Sequence, residues 1–202
     1  MNIPNAVAIA LGDNLMSLTI CVAKSIHLGM SKLRTANLLG ALAMEIAGRL
    51  ERHGRLHPNE TSSATAALNL IGYYEGCSNG ALSRALGLSH AATVRLVDKL
   101  EAADLVISEP GADKRAVALR LTDVGRERVR HVVHERCVLL GDILDVLTPA
   151  QRQGLNQILE TLLSSLVEAA QDADHICRLC DGEECPAERC PVHQRAVAFD
   201  AA

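Results

Sequence analysis

Apolar positions along the chain recur mostly at helical spacing rather than in strand alternation. Residues 36–52 place Leu38, Leu39, Leu42, Ile46 and Leu50 on one stripe, which Gly54, His57, Pro58 and Asn59 break. A second helix is expected from Thr61 towards Gly76, with Ala64, Leu68 and Ile71 turned inward. Ser78-Asn79-Gly80 reads as a turn, and Thr61 and Asn79 are candidate helix caps. The elements then shorten. Residues 80–86 predict a short helix, Gly87-Leu88-Ser89 a compact turn, and residues 90–103 a longer helix with Val94, Val97 and Leu100 inward. Leu105-Val106-Ile107 predicts a strand, Pro110-Gly111 a turn, and the alternation over 115–121 a second strand. Helix, tight turn, helix and hairpin in that order make a winged helix. Two long helices are expected over 123–146 and 149–172, divided at Thr148-Pro149, where Pro takes a first helical position. In the second, Leu155, Ile158, Leu159, Leu162, Leu163, Leu166 and Val167 form a face too wide for one small domain to cover, which predicts a subunit interface.

The expected fold is therefore mainly α: a winged helix-turn-helix with a small β-hairpin wing and long dimerisation helices. Its expected divisions are an N-terminal helical extension contributing to dimerisation (1–35), a dimerisation helix (36–60) and the DNA-binding domain (61–126). C-terminal dimerisation helices (127–173) and a Cys-rich metal or iron–sulfur tail (174–202) follow. Composition agrees. Of the 202 residues 49% are hydrophobic but only 1% aromatic (Tyr73, Tyr74 and Phe199), so Ala, Leu, Val and Ile must build the core, as suits packed helices. The net charge of −4 hides a gradient: residues 78–130 carry nine Lys/Arg against seven Asp/Glu, whereas 172–202 carry three against seven. A mildly basic middle permits a nucleic-acid face. The apolar run 6–23 is interrupted by Asp13 and Asn14 and is too short and polar to span a bilayer, so neither a secretory signal nor a membrane partner is expected. Seven cysteines without a signal point to the cytoplasm and to metal or redox chemistry rather than structural disulfides.

A helix-turn-helix reads DNA because one helix fits the major groove while the other braces it. Here Leu82, Leu86 and Leu88 would pack the motif, Gly87 permit its turn and Ser89 cap the reading helix, whose free N–H groups suit a phosphate. The expected DNA-contacting residues are Ser89, His90, Ala91, Thr93, Arg95 and Lys99, with Lys114 and Arg115 from the wing. The segment Asp113-Lys114-Arg115 followed by Ala116-Val117-Ala118-Leu119-Arg120-Leu121-Thr122 resembles the D-x-R wing and closing L-T of the MarR family of transcriptional regulators. Leu100-Glu101, Leu105-Val106 and the helix end Arg95-Leu96-Val97-Asp98-Lys99-Leu100 extend the resemblance, which covers roughly residues 36–172 and is strongest over 80–126. It implies a homodimer with interleaved terminal helices, a pseudo-palindromic double-stranded operator, a wing Arg at each minor groove and, usually, repression relieved by a signal such as a small-molecule effector. Two departures stand out: Ala91, Ala92 and Val94 replace the family's frequent Ser/Thr, and Ser108 and Glu109 sit where its wing is commonly basic.

Cys177, Cys180, Cys185 and Cys190 form C-x2-C-x4-C-x4-C, a dense thiolate set that packing does not explain. The compact spacing, with Pro186 and Pro191 directly after Cys185 and Cys190, favours a 2Fe–2S or 4Fe–4S cluster. Zinc is the alternative, and disulfides or free thiols remain open. The layout also looks like the cysteine loop of SoxR-type redox regulators, with different spacing. His175 and His193 flank the set, while Cys21, Cys77 and Cys137 read as buried small hydrophobes. No nucleophile–base pair, Gly-rich phosphate loop or catalytic carboxylate pair stands out, so an enzyme is not expected. Two accounts follow. In one, a DNA-binding regulator senses redox or iron–sulfur status through the tail. In the other, zinc staples the tail and a small organic ligand is the signal.

Overall fold

The computed structural model describes residues 16–54, 61–111 and 117–200, with side chains from residue 32 to 199 within them. Helix α1 (Met16–Gly54) runs unbroken through the division expected at 35/36. It exposes Leu33, Leu38, Leu39 and Leu42, and its residues up to Arg49 belong to a unit separate from the rest.

The second unit is built around α2 (Ser62–Tyr73). Thr61 caps it, its Oγ1 accepting from Ala64 N at 3.1 Å, and every residue from Ala64 to Ile71 is buried. A helix buried on all sides needs small residues where neighbours approach, and Ala64, Ala66 and Ala67 supply them. Helix α3 (Asn79–Leu86) is capped by Ser78 rather than by the expected Asn79, which is already helical; Ser78 Oγ accepts from Ala81 N at 3.2 Å. Gly87 ends it in the left-handed region (φ 65°), and Ser83 Oγ donates to Leu88 O at 2.7 Å across the turn. Ser89 then caps α4 (His90–Ala102), accepting from Ala92 N at 3.2 Å.

Strands β1 (Val106–Pro110) and β2 (Val117–Leu121) pair antiparallel, Val106 opposite Leu121 and Pro110 opposite Val117. The first strand begins one residue later than expected and carries through Pro110, which a two-stranded sheet tolerates at its edge. Ile71, Leu82, Val106 and Leu119, each at most 2% exposed, close the core beneath the hairpin. Helix α5 (Asp123–Leu144) starts on Thr122, whose Oγ1 accepts from Gly125 N at 2.9 Å and donates to Asp104 O at 2.6 Å.

Helix α6 (Pro149–Ser165) opens with a capping box between Thr148 and Gln151 and Pro149 at its first turn. It stops well short of the expected residue 172 and buries none of its residues, leaving Ile158 58% and Leu162 42% exposed. Val167 leaves that face: it packs into a second small core with Cys190, Val192 and Ala196, formed by α7 (Asp172–Cys177), a 3-10 turn at Ala187–Arg189 and α8 (Pro191–Asp200). The Cys-rich segment is thus folded.

Candidate nucleic-acid interface and cysteine site

On α4 the expected contact residues divide. Ser89, His90, Ala91, Arg95 and Lys99 are exposed, with Arg95 and Lys99 one turn apart. Thr93 is not available: it is 0% exposed, and its hydroxyl donates to Ser89 O at 3.2 Å. A β-branched residue of that size, satisfied by the preceding turn, fills the core, and helical period alone misassigned its face. Val94, expected inward, is only half-buried. Lys114 and Arg115 lie outside the described residues.

At the base of the wing, Arg120 Nε donates to Glu109 at 3.0 Å and its Nη1 to Glu75 at 3.2 Å, and Arg126 also donates to Glu75. Glu109 is therefore a structural ion-pair partner and not an isolated charge facing DNA. The hydrogen bond and charge of Arg126, reinforced by Arg120, hold the Glu75 carboxyl below the usual carboxylate range.

The four cysteines line one cavity of about 160 Å³ together with Leu70, Tyr73, Tyr74 and His193. Cys177 Sγ lies 4.0 Å from Cys190 Sγ, and Cys180 and Cys185 line the same cavity beside them. Cys180 N donates to Cys177 O at 2.8 Å, closing the C-x2-C turn. His193 N, in the first turn of α8, donates to Cys190 Sγ at 3.5 Å. The Cys-Pro pairs have local reasons: Pro191 opens α8 and Pro186 precedes the 3-10 turn. The neighbouring Cys180 thiol and burial push the Cys177 thiol up. The Cys177 thiol beside it draws Cys180 down to about 7, helped by the Arg136 guanidinium. Burial and the neighbouring Cys190 push Cys185 up to about 11. Among the described residues, no three His, Cys, Asp or Glu side chains are gathered tightly enough to be a ready-made single-ion site. His175 turns away from the sulfurs, its Nδ1 3.3 Å from Ala85 O on α3.

The sequence did not mark the residues that seat this loop. Asn69 Nδ2 donates to Arg178 O (3.2 Å) and Cys180 O (3.0 Å), and Tyr73 Oη donates to Cys180 O at 3.0 Å. Arg136 Nη1 donates to Leu179 O at 3.1 Å, and Tyr74 Oη donates to Asp174 at 2.7 Å. Two signals were present: a lone amide on an otherwise small and apolar helix, and the adjacent tyrosines in a chain nearly devoid of aromatics. Cys77 and Cys137 are half-buried rather than buried, and Cys137 lies near Cys180 and Asp181. Cys21 lies outside the side chains described.

A capped brace helix, a left-handed glycine turn, an exposed second helix and a hairpin define a winged helix-turn-helix protein. Residues 61–116 match the MarR family. The chain is 34% identical over 92 residues to the transcriptional repressor MprA of Escherichia coli K12, covering 45% of this chain and 52% of MprA. It thus spans about half the length of the curated relatives it matches. A MarR family protein from Bacillus stearothermophilus has the same fold (TM-score 0.58, 25% identity, 67% of this chain and 97% of that one). So does a MepR mutant of S. aureus bound to an oligodeoxyribonucleotide (TM-score 0.51, 18% identity, 65% and 96%). The cysteine motif lies outside the matched segment 61–116.

Proposed function

We propose that the protein is a DNA-binding transcriptional regulator, a repressor rather than an enzyme, acting in the cytoplasm as a homodimer on a pseudo-palindromic operator. The observation that carries this reading is the exposed start of α4, where Ser89, His90, Ala91 and Arg95 stand clear of the core on a MarR-family domain. The name of MprA and the oligodeoxyribonucleotide bound to the MepR mutant support it by likeness. The apolar faces left uncovered on α1 and α6 support a second copy as partner.

Its cysteine site is read as the seat of a 2Fe–2S or 4Fe–4S cluster held by Cys177, Cys180, Cys185 and Cys190. Four soft donors around one cavity of about 160 Å³ suit a cluster core, whereas one zinc ion draws its sulfurs in to about 2.3 Å. When bound, such a centre supplies sensitivity to oxidants and to iron–sulfur supply. The protein's own part is to hold the sulfurs, exclude water with Tyr73, Tyr74 and Leu70, and pass the state of the loop to α2 and α5.

A second reading keeps the regulator but makes the tail a zinc staple and a small organic ligand the signal. It is favoured by an open cavity of about 520 Å³ between α2, α5 and the cysteine loop, where Arg126, Arg130 and His134 face an apolar floor of Val129 and Val133. Anaerobic purification with iron, sulfide and zinc analysis, alongside genomic DNA selection, tests the choice. Visible absorption with iron and acid-labile sulfide is expected; a colourless zinc protein would leave the second reading, and no selected DNA would end both.

A further inference from the structure

Three successive carbonyls of the C-x2-C turn, at residues 178, 179 and 180, are each caught by a side chain of the DNA-binding body. Asn69 and Tyr73 come from α2, the central helix of the winged domain, and Arg136 comes from α5. Asn69 is only 9% exposed and its amide bridges two of the three carbonyls, an expensive group to bury unless its bonds are kept. Arg136 Nε is buried with no partner of its own, so the guanidinium is held against the loop by the Leu179 carbonyl and by its surroundings. Leu179 also packs into the main core of the winged domain. The fit is close on the far side of the turn as well. A Cβ on Gly182 would stand 2.6 Å from the Tyr73 ring and hydroxyl.

We propose that Asn69, Tyr73 and Arg136 form a clamp through which the state of the four-cysteine site sets the relative placement of α2 and α5, and hence of the DNA-reading unit α3–α4. The inference rests on the regulator reading above and names its transmitting residues. Ligation at Cys177 and Cys180 fixes the turn between them, and a fixed turn presents its carbonyls to α2 and α5 in one geometry. Loss of ligation frees the turn, and the clamp bonds lengthen or exchange with water. Because α3 packs on α2 and His175 of the same segment bonds Ala85 on α3, movement of the turn reaches the helix-turn-helix directly. The clamp residues are positioning residues: none touches DNA, and each acts through the loop backbone.

The test compares full-length wild type with Tyr73→Phe, Asn69→Ala and Gly182→Ala. Tyr73→Phe deletes only one hydroxyl at an exposed rim, and Gly182→Ala crowds the ring off Cys180 without altering a clamp side chain; both serve should Asn69→Ala fold poorly. For each protein, iron and sulfide content is measured, and affinity for the duplex that the wild type selects is compared before and after chelation. The ratio of loaded to apo affinity is expected to fall towards one in the variants, normalised to loaded chain. Cluster loading is also expected to slow amide exchange across residues 62–89 in the wild type but not in the variants. An unchanged ratio and unchanged protection in Tyr73→Phe and Gly182→Ala would overturn the clamp alone. A wild-type ratio of one would instead overturn the sensing function, and the clamp with it.

Discussion

Thr93 and Arg95 sit two residues apart on the reading helix and have opposite fates. Arg95 is exposed beside Lys99, whereas Thr93 is sealed in the core with its hydroxyl bonded to Ser89 O. Arg95→Ala is expected to weaken operator binding about tenfold, roughly 1.4 kcal/mol, without lowering the melting temperature. Thr93→Val should do the reverse, costing about 1 kcal/mol of stability while leaving DNA affinity unchanged; gel shifts and thermal melts read the two effects apart. Glu75 yields a pH prediction. Its folded-state carboxyl is depressed by Arg126 and then Arg120, so its contribution is complete above the carboxyl's ordinary range and disappears as pH falls through its lowered value. Glu75→Gln is therefore expected to lower stability at neutral pH, with wild type and variant converging in acid. Parallel curves at every pH would show that the pair contributes nothing.

At the scale of elements, how well the chain could be read depended on how local the determining physics was. Helix caps and turns are set by a few adjacent residues, so Thr61, Gly87, Ser89 and the Thr148-Pro149 boundary were legible, and Asn79 failed only because Ser78 precedes it. The end of α6 was not legible, because the apolar pattern continues through Leu166 and Val167 while the chain turns to bury Val167 against α8. The C-x2-C turn was legible from spacing; the docking of its loop on α2 was not, since it depends on hydrogen bonds spanning more than 100 residues of sequence. The hairpin-to-α5 junction makes a test of local packing. A Cβ on Gly125 would meet Leu105 O at 2.0 Å, a backbone atom that also accepts from Thr122 N. Gly125→Ala is expected to destabilise by about 2–3 kcal/mol in denaturant melts, and a change below about 0.5 kcal/mol would contradict the packing described.

For the whole molecule, the uncovered apolar faces of α1 and α6 are where the proposed second copy would pack. The two reading helices of a dimer must stand about 34 Å apart to enter successive major grooves, so whatever alters subunit packing alters DNA binding. Leu162→Glu with Leu166→Glu sets charge on that face without touching the second core, and sedimentation should then find monomer in place of dimer, with operator affinity lost in parallel. The cysteine segment meets the winged-helix body on two sides: its loop is bonded to α2 and α5, and α8 packs along α6. The most direct measurement is the affinity of the full-length protein for its selected duplex, taken anaerobically with the cysteine site loaded and again after chelation under reducing conditions. A difference of tenfold or more between the two states, about 1.4 kcal/mol of coupling, is the predicted result. Equal affinities from protein that loads and unloads completely would contradict the claim that this winged helix answers to its cysteines.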